Sequence, residues 1–287
     1  MVSRRVFTNF LLAPLLASGA RPVNALTAIE TDHRTLRGRR GRTVEVHIWR
    51  PAQATRGRVH FFHGAYSAPW KYTALLEPLC ALGFEIHAPL HVDSTDHPLT
   101  HEYGGLRSWS ARLEDAALLS AQTEDRYHAI GHSYGGLLAL TLGGATPVLP
   151  EDLTTAPQDA RVERVVALSP PPPVPGLIDA PGYSSLRAPA LIQTGDRDWV
   201  PGLPGNGWQD HLIPFEAATA SGSHYALVLE GVDHYFGNAI CRPELPGPPQ
   251  SAQLAAALRV IDAFLADDQQ RLRSMLSDRG PVRLQNK

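Results

Sequence analysis

The chain has 287 residues, 43% hydrophobic and 19% charged, with 26 basic and 28 acidic side chains and a formal net charge of −2. That is enough apolar material for one large core. It excludes a collagen-like or disordered chain, and it lacks the basic excess that a nucleic-acid partner requires.

At the N-terminus, Ser3-Arg4-Arg5-Val6-Phe7 is followed by a mostly apolar stretch from Thr8 to Ala20 and by Val23-Asn24-Ala25, a small-residue cleavage pattern. This order reads as a twin-arginine export signal over residues 1–25, giving a periplasmic or secreted product. The apolar run contains Pro14 and is shorter than the roughly 20 residues of a membrane span, so no permanent membrane anchor is expected. Cleavage would remove Arg4, Arg5 and Arg21 and take the net charge from −2 to about −5. A product of this kind folds in a reducing cytoplasm, so no disulfide is required. Cys80, inside Leu79-Cys80-Ala81-Leu82, reads as a buried free thiol, and neither it nor Cys241 has metal-knuckle spacing.

Residues 26–277 read as one α/β domain. Segment 43–49 alternates Val44, Val46 and Ile48 with Glu45 and His47, the period of an edge strand with one buried face. Short apolar runs at 58–62, 84–89, 127–131, 162–168, 190–194 and 225–229, bounded by Gly, Pro or polar breaks, read as buried strands. Helical spacing occupies 70–82, 106–122, 134–143 and 252–272. This alternation predicts a mostly parallel central sheet with helices on both faces. Pro170-Pro171-Pro172-Pro173-Val174-Pro175 must be a stiff, extended loop, either a rigid connector or a pocket wall at the carboxyl edge of the sheet. Residues 278–287 are expected to be a frayed, flexible tail.

Three separated positions carry chemistry. Gly131-His132-Ser133-Tyr134-Gly135 matches G-x-S-x-G between a strand and a helix, which makes Ser133 a candidate nucleophile on a strained turn. The glycines two residues to either side remove β-carbons that would clash with the neighbouring strand and helix. A serine needs a base and a group to orient it. After the strand at 190–194, Gly195-Asp196-Arg197-Asp198 offers an acid; Asp198 is preferred over Asp196, which suits a turn role. His234, in the loop past the strand at 225–229, is the candidate base, whereas His211 and His224 read as surface or cleft histidines. An oxyanion needs two N–H donors, and these are expected from Tyr134 and from Ala65 in His63-Gly64-Ala65-Tyr66. His63 would brace that loop, or be a plain core histidine.

With these residues placed, the chain resembles the α/β-hydrolase superfamily. The stretch from Trp49-Arg50-Pro51 through His63-Gly64, Gly83-Phe84, His91-Val92-Asp93-Ser94-Thr95 and the Ser133 turn looks like dienelactone-hydrolase-like and platelet-activating-factor-acetylhydrolase-like esterases. The resemblance implies an α/β-hydrolase fold and hydrolysis of a small-molecule or lipid-like ester through an acyl-enzyme. It implies a Ser133, Asp198 and His234 triad and no cofactor. Dienelactone hydrolases proper carry cysteine where this chain has Ser133, so lactone specificity does not transfer. The same residues would also serve amide, thioester or carbon–carbon bond hydrolysis or haloperoxidation, or a non-catalytic binding protein on this fold.

His91, Asp93, Asp96, His97 and His101 are ligand types within eleven residues, yet no pair is expected to sit on a helix at metal spacing, since Pro89 and Pro98 should keep the segment extended, so no metal site is expected. In the resembling families this loop lines the mouth of the site, which makes His91 a candidate substrate contact. Tyr66 and Trp199, next to the oxyanion and acid motifs, are the expected aromatic walls.

Overall fold

The computed structural model describes residues 29–200 and 207–287, so the expected export signal lies outside the described residues. Nine strands form one sheet: β1 (Glu30–Arg37), β2 (Thr43–Arg50), β3 (Gly57–Phe62), β4 (Phe84–Pro89), β5 (Tyr127–His132), β6 (Val162–Leu168), β7 (Ala190–Gly195), β8 (His224–Leu229) and β9 (Val282–Asn286). Their spatial order is β1-β2-β4-β3-β5-β6-β7-β8-β9. Pairs from β4 through β8 are parallel, and the flanking pairs β1/β2, β2/β4 and β8/β9 are antiparallel.

The buried strands are apolar on both faces because both are covered. In β3, Val59 and Phe61 point to one layer and Phe62 to the other; in β6, Val166 and Leu168 oppose Val165 and Ala167. One layer packs under α1 (Thr73–Ala81), α7 (Ser251–Leu265) and α8 (Gln269–Met275). The other packs under α3 (Trp109–Ala121) and α4 (Tyr134–Leu142). Short helices α2 (Thr100–Tyr103), α5 (Ala180–Ser184) and α6 (Ile213–Ala217) sit in the connections. None of the described helices is long and apolar enough to cross a membrane.

Four expectations are corrected. Segment 43–49 is not the edge, because β1 pairs along its whole outer side. β1 reads Glu-Thr-Asp-His-Arg-Thr-Leu-Arg and is largely solvated, so it carries no hydrophobic period, and its charges suit an edge. The tail is not frayed: Val282–Asn286 is β9, with Leu284 buried in the core and Arg283 bonded to Asp196. The helix at 252–272 is two helices, broken where Asp267 takes φ +56° and the Asp268 carboxylate caps α8 by accepting from the Arg271 N–H at 2.9 Å. The segment after Pro89 is turn-rich and runs into α2, not extended.

β3 and β5 are neighbours, with Phe62 opposite Gly131, although β4 lies between them in sequence and on the other side of β3. Successive connections leave in opposite directions there, which opens a crevice at the carboxyl ends of the strands.

Candidate active site

Ser133 sits in that crevice at φ +53° and ψ −121°, between the last residue of β5 and the first of α4. Its N–H donates to the Leu168 carbonyl at 2.8 Å, and its own carbonyl accepts from the Gly136 N–H at 2.8 Å. A non-glycine residue in this region costs about 1–3 kcal/mol, borne by the surrounding structure. A β-carbon on Gly131 would stand 2.0 Å from the Gly135 carbonyl oxygen, and one on Gly135 would stand 2.0 Å from that of Phe62. Both contacts are backbone, so neither can yield.

The loops after β7 and β8 bring Asp198 and His234 together. Asp198 is buried, and its Oδ1 lies 2.7 Å from His234 Nδ1 while Oδ2 accepts from the Thr194 hydroxyl at 2.8 Å. Burial alone would push this carboxyl up; His234 and His211 outweigh it and hold the group well below the usual carboxylate range. An ionised carboxylate only accepts, so His234 carries its proton on Nδ1 and keeps the lone pair on Nε2. Asp196 does not cap its own turn: its carboxylate accepts from the Gly231 N–H of the loop after β8 at 2.6 Å and from Arg283 of β9 at 3.0 Å.

Beside Ser133, the loop after β3 presents Ala65. Among the described residues, neither its N–H nor that of Tyr134 is engaged in a hydrogen bond. The loop is held from behind by a fully buried ion pair between Arg112 of α3 and Asp93, at 2.8 and 2.9 Å. The same guanidinium donates to the carbonyls of His63 at 2.8 Å and Gly64 at 3.2 Å, and lies 4.5 Å from the centre of the Tyr134 ring. Asp93 in turn accepts from the Tyr66 N–H at 3.3 Å. Burial pushes the Asp93 carboxyl up, and Arg112 more than reverses this, leaving it at about 2. Arg112 therefore touches both the loop of Ala65 and the residue that supplies the second free N–H.

A second chain of bonds joins this loop to His234. The Gly64 N–H donates to the Tyr72 hydroxyl at 2.9 Å, which lies 2.8 Å from His132 Nδ1; His132 Nε2 lies 2.8 Å from the His234 carbonyl. A carbonyl only accepts, so Nε2 carries the His132 proton and Tyr72 donates to Nδ1. Burial, with His234 nearby, pushes His132 down to about 3, consistent with that neutral tautomer. His63 braces its loop as expected: Nε2 accepts from the His91 N–H at 3.0 Å, so Nδ1 donates to the Gly64 carbonyl at 2.8 Å.

Ser133 and His234 open into one cavity of about 420 Å³ whose walls include Ala65, Tyr66, Leu106, Tyr134, Pro171, Val174, Leu177, Val200 and Tyr235. The proline loop is thus a wall. Tyr66 lines the cavity, but two expected contacts do not. His91 is fully buried behind the Ala65 loop, its Nδ1 2.7 Å from Asp115 of α3, because His63 captures its N–H and turns the ring inward. Trp199 is 67% exposed and absent from the lining, where its neighbour Val200 takes the place. His211 and His224 are buried rather than superficial, and His211 reaches Asp198. Asp198, His211 and His234 form the one group among the described residues whose ligand atoms, within 4.8 Å of one another, could converge on a metal ion; hydrogen bonds already engage each of them. Cys80 and Cys241 are separate buried thiols.

Arg112 had a legible signal, since it shares the buried helical spacing of Trp109, Leu113 and Ala116, where an arginine demands a partner. His211 had none in its Gly- and Pro-rich surroundings.

Solved structures share this architecture at low identity. An esterase domain from Rhodothermus marinus is 16% identical with a TM-score of 0.56, covering 83% of this chain and 98% of the other. A thermophilic esterase from Thermogutta terrifontis with bound propionate is 15% identical with a TM-score of 0.60, covering 83% and 94%. A dienelactone hydrolase candidate from Klebsiella pneumoniae is 15% identical with a TM-score of 0.59, covering 83% and 99%. The chain has the α/β-hydrolase fold. No protein-family model matches the sequence, and no curated protein matches it. Within the α/β-hydrolase fold, the crevice between the ends of β3 and β5 is where Ser133 stands.

Proposed function

We propose that the chain is an exported serine hydrolase that cleaves carboxylic esters of small-molecule or lipid-like substrates through an acyl-enzyme. The observation that carries this reading is the convergence, on one apolar cavity, of strained Ser133, of His234 bonded to ionised Asp198, and of two unengaged backbone N–H groups. The esterases among the fold neighbours, one holding propionate, support the ester over other bonds.

In this mechanism Ser133 Oγ attacks the ester carbonyl while His234 Nε2 takes its proton. Asp198 holds the Nδ1 proton and stabilises the imidazolium without being protonated itself. The N–H groups of Ala65 and Tyr134 receive the oxyanion. Collapse expels the alcohol, which takes the proton back from His234, and water repeats the sequence to free Ser133 and release the acid. The lining of Leu106, Pro171, Val174 and Leu177 suits a short apolar acyl or alcohol group.

Hydrolysis of p-nitrophenyl esters from acetate to palmitate by the purified chain, beside Ser133→Ala, tests the reading. Turnover confined to short chains and abolished by the substitution is expected; turnover retained without Ser133 would overturn it. No turnover on any ester would move the proposal to amide or carbon–carbon bonds. Export is tested separately, since replacing Arg4-Arg5 by Lys-Lys should retain precursor in the cytoplasm, and unchanged periplasmic yield would contradict the twin-arginine reading.

A further inference from the structure

We propose that His211 is a positioning residue for the acid–base pair: a buried imidazolium that shares Asp198 with His234 and sets the pH range in which His234 can take the serine proton. The inference rests on the Ser133, Asp198 and His234 reading above.

His211 lies on the 3-10 turn Trp208–Leu212, which packs against β7 and carries the ring between two loops. It is 4% exposed and both ring nitrogens have partners. Nδ1 is 2.7 Å from the Pro170 carbonyl, which can only accept, so Nδ1 bears a proton. Nε2 is 3.2 Å from Asp198 Oδ1, the same oxygen that faces His234 Nδ1 at 2.7 Å. Asp198 is ionised, and a bare Nε2 would set lone pair against lone pair between two buried side chains. Nε2 therefore bears a proton as well, and the ring is charged. Burial pulls His211 down, and the bond to Asp198 and its charge, the Pro170 carbonyl and Asp210 together more than restore it, leaving the group above its ordinary value.

Around the ring stand Asp198 from the loop after β7, His234 from the loop after β8 with its ring centre 5.7 Å away, and His132, held neutral, at the end of β5. Asp210 lies on the same turn and adds to the pull toward the charged form. The charged side chain of α6 is exposed Glu216; Arg283 of β9 reaches the turn at Trp208 but is paired with Asp196. Residues 201–206, Pro-Gly-Leu-Pro-Gly-Asn, have no titratable side chain.

Two consequences share one sign. A charged His211 neutralises part of the Asp198 charge that would otherwise favour a proton on His234, and it repels that proton directly. Both act against a proton on His234 Nε2, and both are lost when the His211 charge is removed. The Pro170 bond also ties Asp198 to the loop whose Pro171 and Val174 wall the cavity, coupling acid position to pocket shape.

The test is the pH dependence of kcat/KM on a short p-nitrophenyl ester for the intact chain and for His211→Gln, whose amide donates to Asp198 without charge. The acid limb is expected to move up by about one pH unit in the variant. An unmoved limb in a folded variant overturns the proposal. Should His211→Gln not fold, nitrogen NMR of the His211 ring in the unmodified chain decides it: two protonated nitrogens at neutral pH support it, and one bare nitrogen overturns it. This readout needs no turnover, so it stands apart from failure of the triad, which Ser133→Ala with retained activity would reveal.

Discussion

Around Ser133, the loops after β3 and β5 are tied by many bonds of different kinds: a positive-φ turn, two backbone contacts that only glycine permits, the Arg112–Asp93 pair, and the Gly64–Tyr72–His132 chain. Around His234, the loops after β7 and β8 converge on a single oxygen, Asp198 Oδ1, which faces both His234 and His211, and the loop after β6 joins them through the Pro170 carbonyl on His211 Nδ1. The Ser133 side is redundant and the His234 side is concentrated. Substitutions of the residues that hold Ser133 and the Ala65 loop should therefore act mainly through stability and loop order, and those around His234 mainly through proton transfer.

The largest expected effect is on the concentrated side. Asp198→Asn should lower kcat by about 10⁴-fold, since the amide cannot hold the Nδ1-protonated tautomer of His234. Steady-state kinetics beside a melting curve checks that the loss is catalytic; a loss of less than tenfold would break the contrast.

Next comes the redundant side. Arg112→Met leaves Asp93 buried and unpaired, so about 3–5 kcal/mol of stability should be lost in a denaturant titration. kcat should fall while KM holds, because the loosened N–H groups matter most in the transition state. A change in KM alone would mean that Arg112 acts on the pocket and not on the oxyanion loop.

Acid titrates the same pair from the other end. The folded Asp93 value, at about 2, lies below its ordinary one, so its stabilisation is complete above about pH 5 and is lost as pH falls from about 4 through 2. The loss should be on the order of 2 kcal/mol. Comparing the chain with Asp93→Asn across that range isolates the contribution; a gap between them that persists at pH 2 would contradict it. The smallest effect belongs to Asp196→Asn, which touches a half-exposed pair with Arg283 and should cost within about 1 kcal/mol with kcat unchanged.

What could be read from the sequence follows the same division. The Ser133 turn is local, so G-x-S-x-G between a strand and a helix suffices, and the six parallel strands announce themselves as apolar runs buried on both faces. β1 and β9 escaped because an edge strand in water has little hydrophobic period to display. His91 was misplaced because sequence shows that a loop follows β4 but not that His63 and Asp115 turn its side chain inward. Trp199 was misplaced for the converse reason: adjacency to Asp198 fixes its backbone near the site, while alternation along the loop sends Val200 inward and Trp199 out. His211 depends on contacts 13 residues from Asp198 and, by a separation of 41, from Pro170, which no local pattern encodes.

The central claim is that Ser133 is the activated nucleophile of this arrangement. Labelling the purified chain with a fluorophosphonate, followed by peptide mass mapping, tests it most directly. One adduct, on Ser133, lost in Ser133→Ala and slowed in Asp198→Asn, is the predicted result; an adduct on another residue, or labelling undiminished in Ser133→Ala, would contradict it.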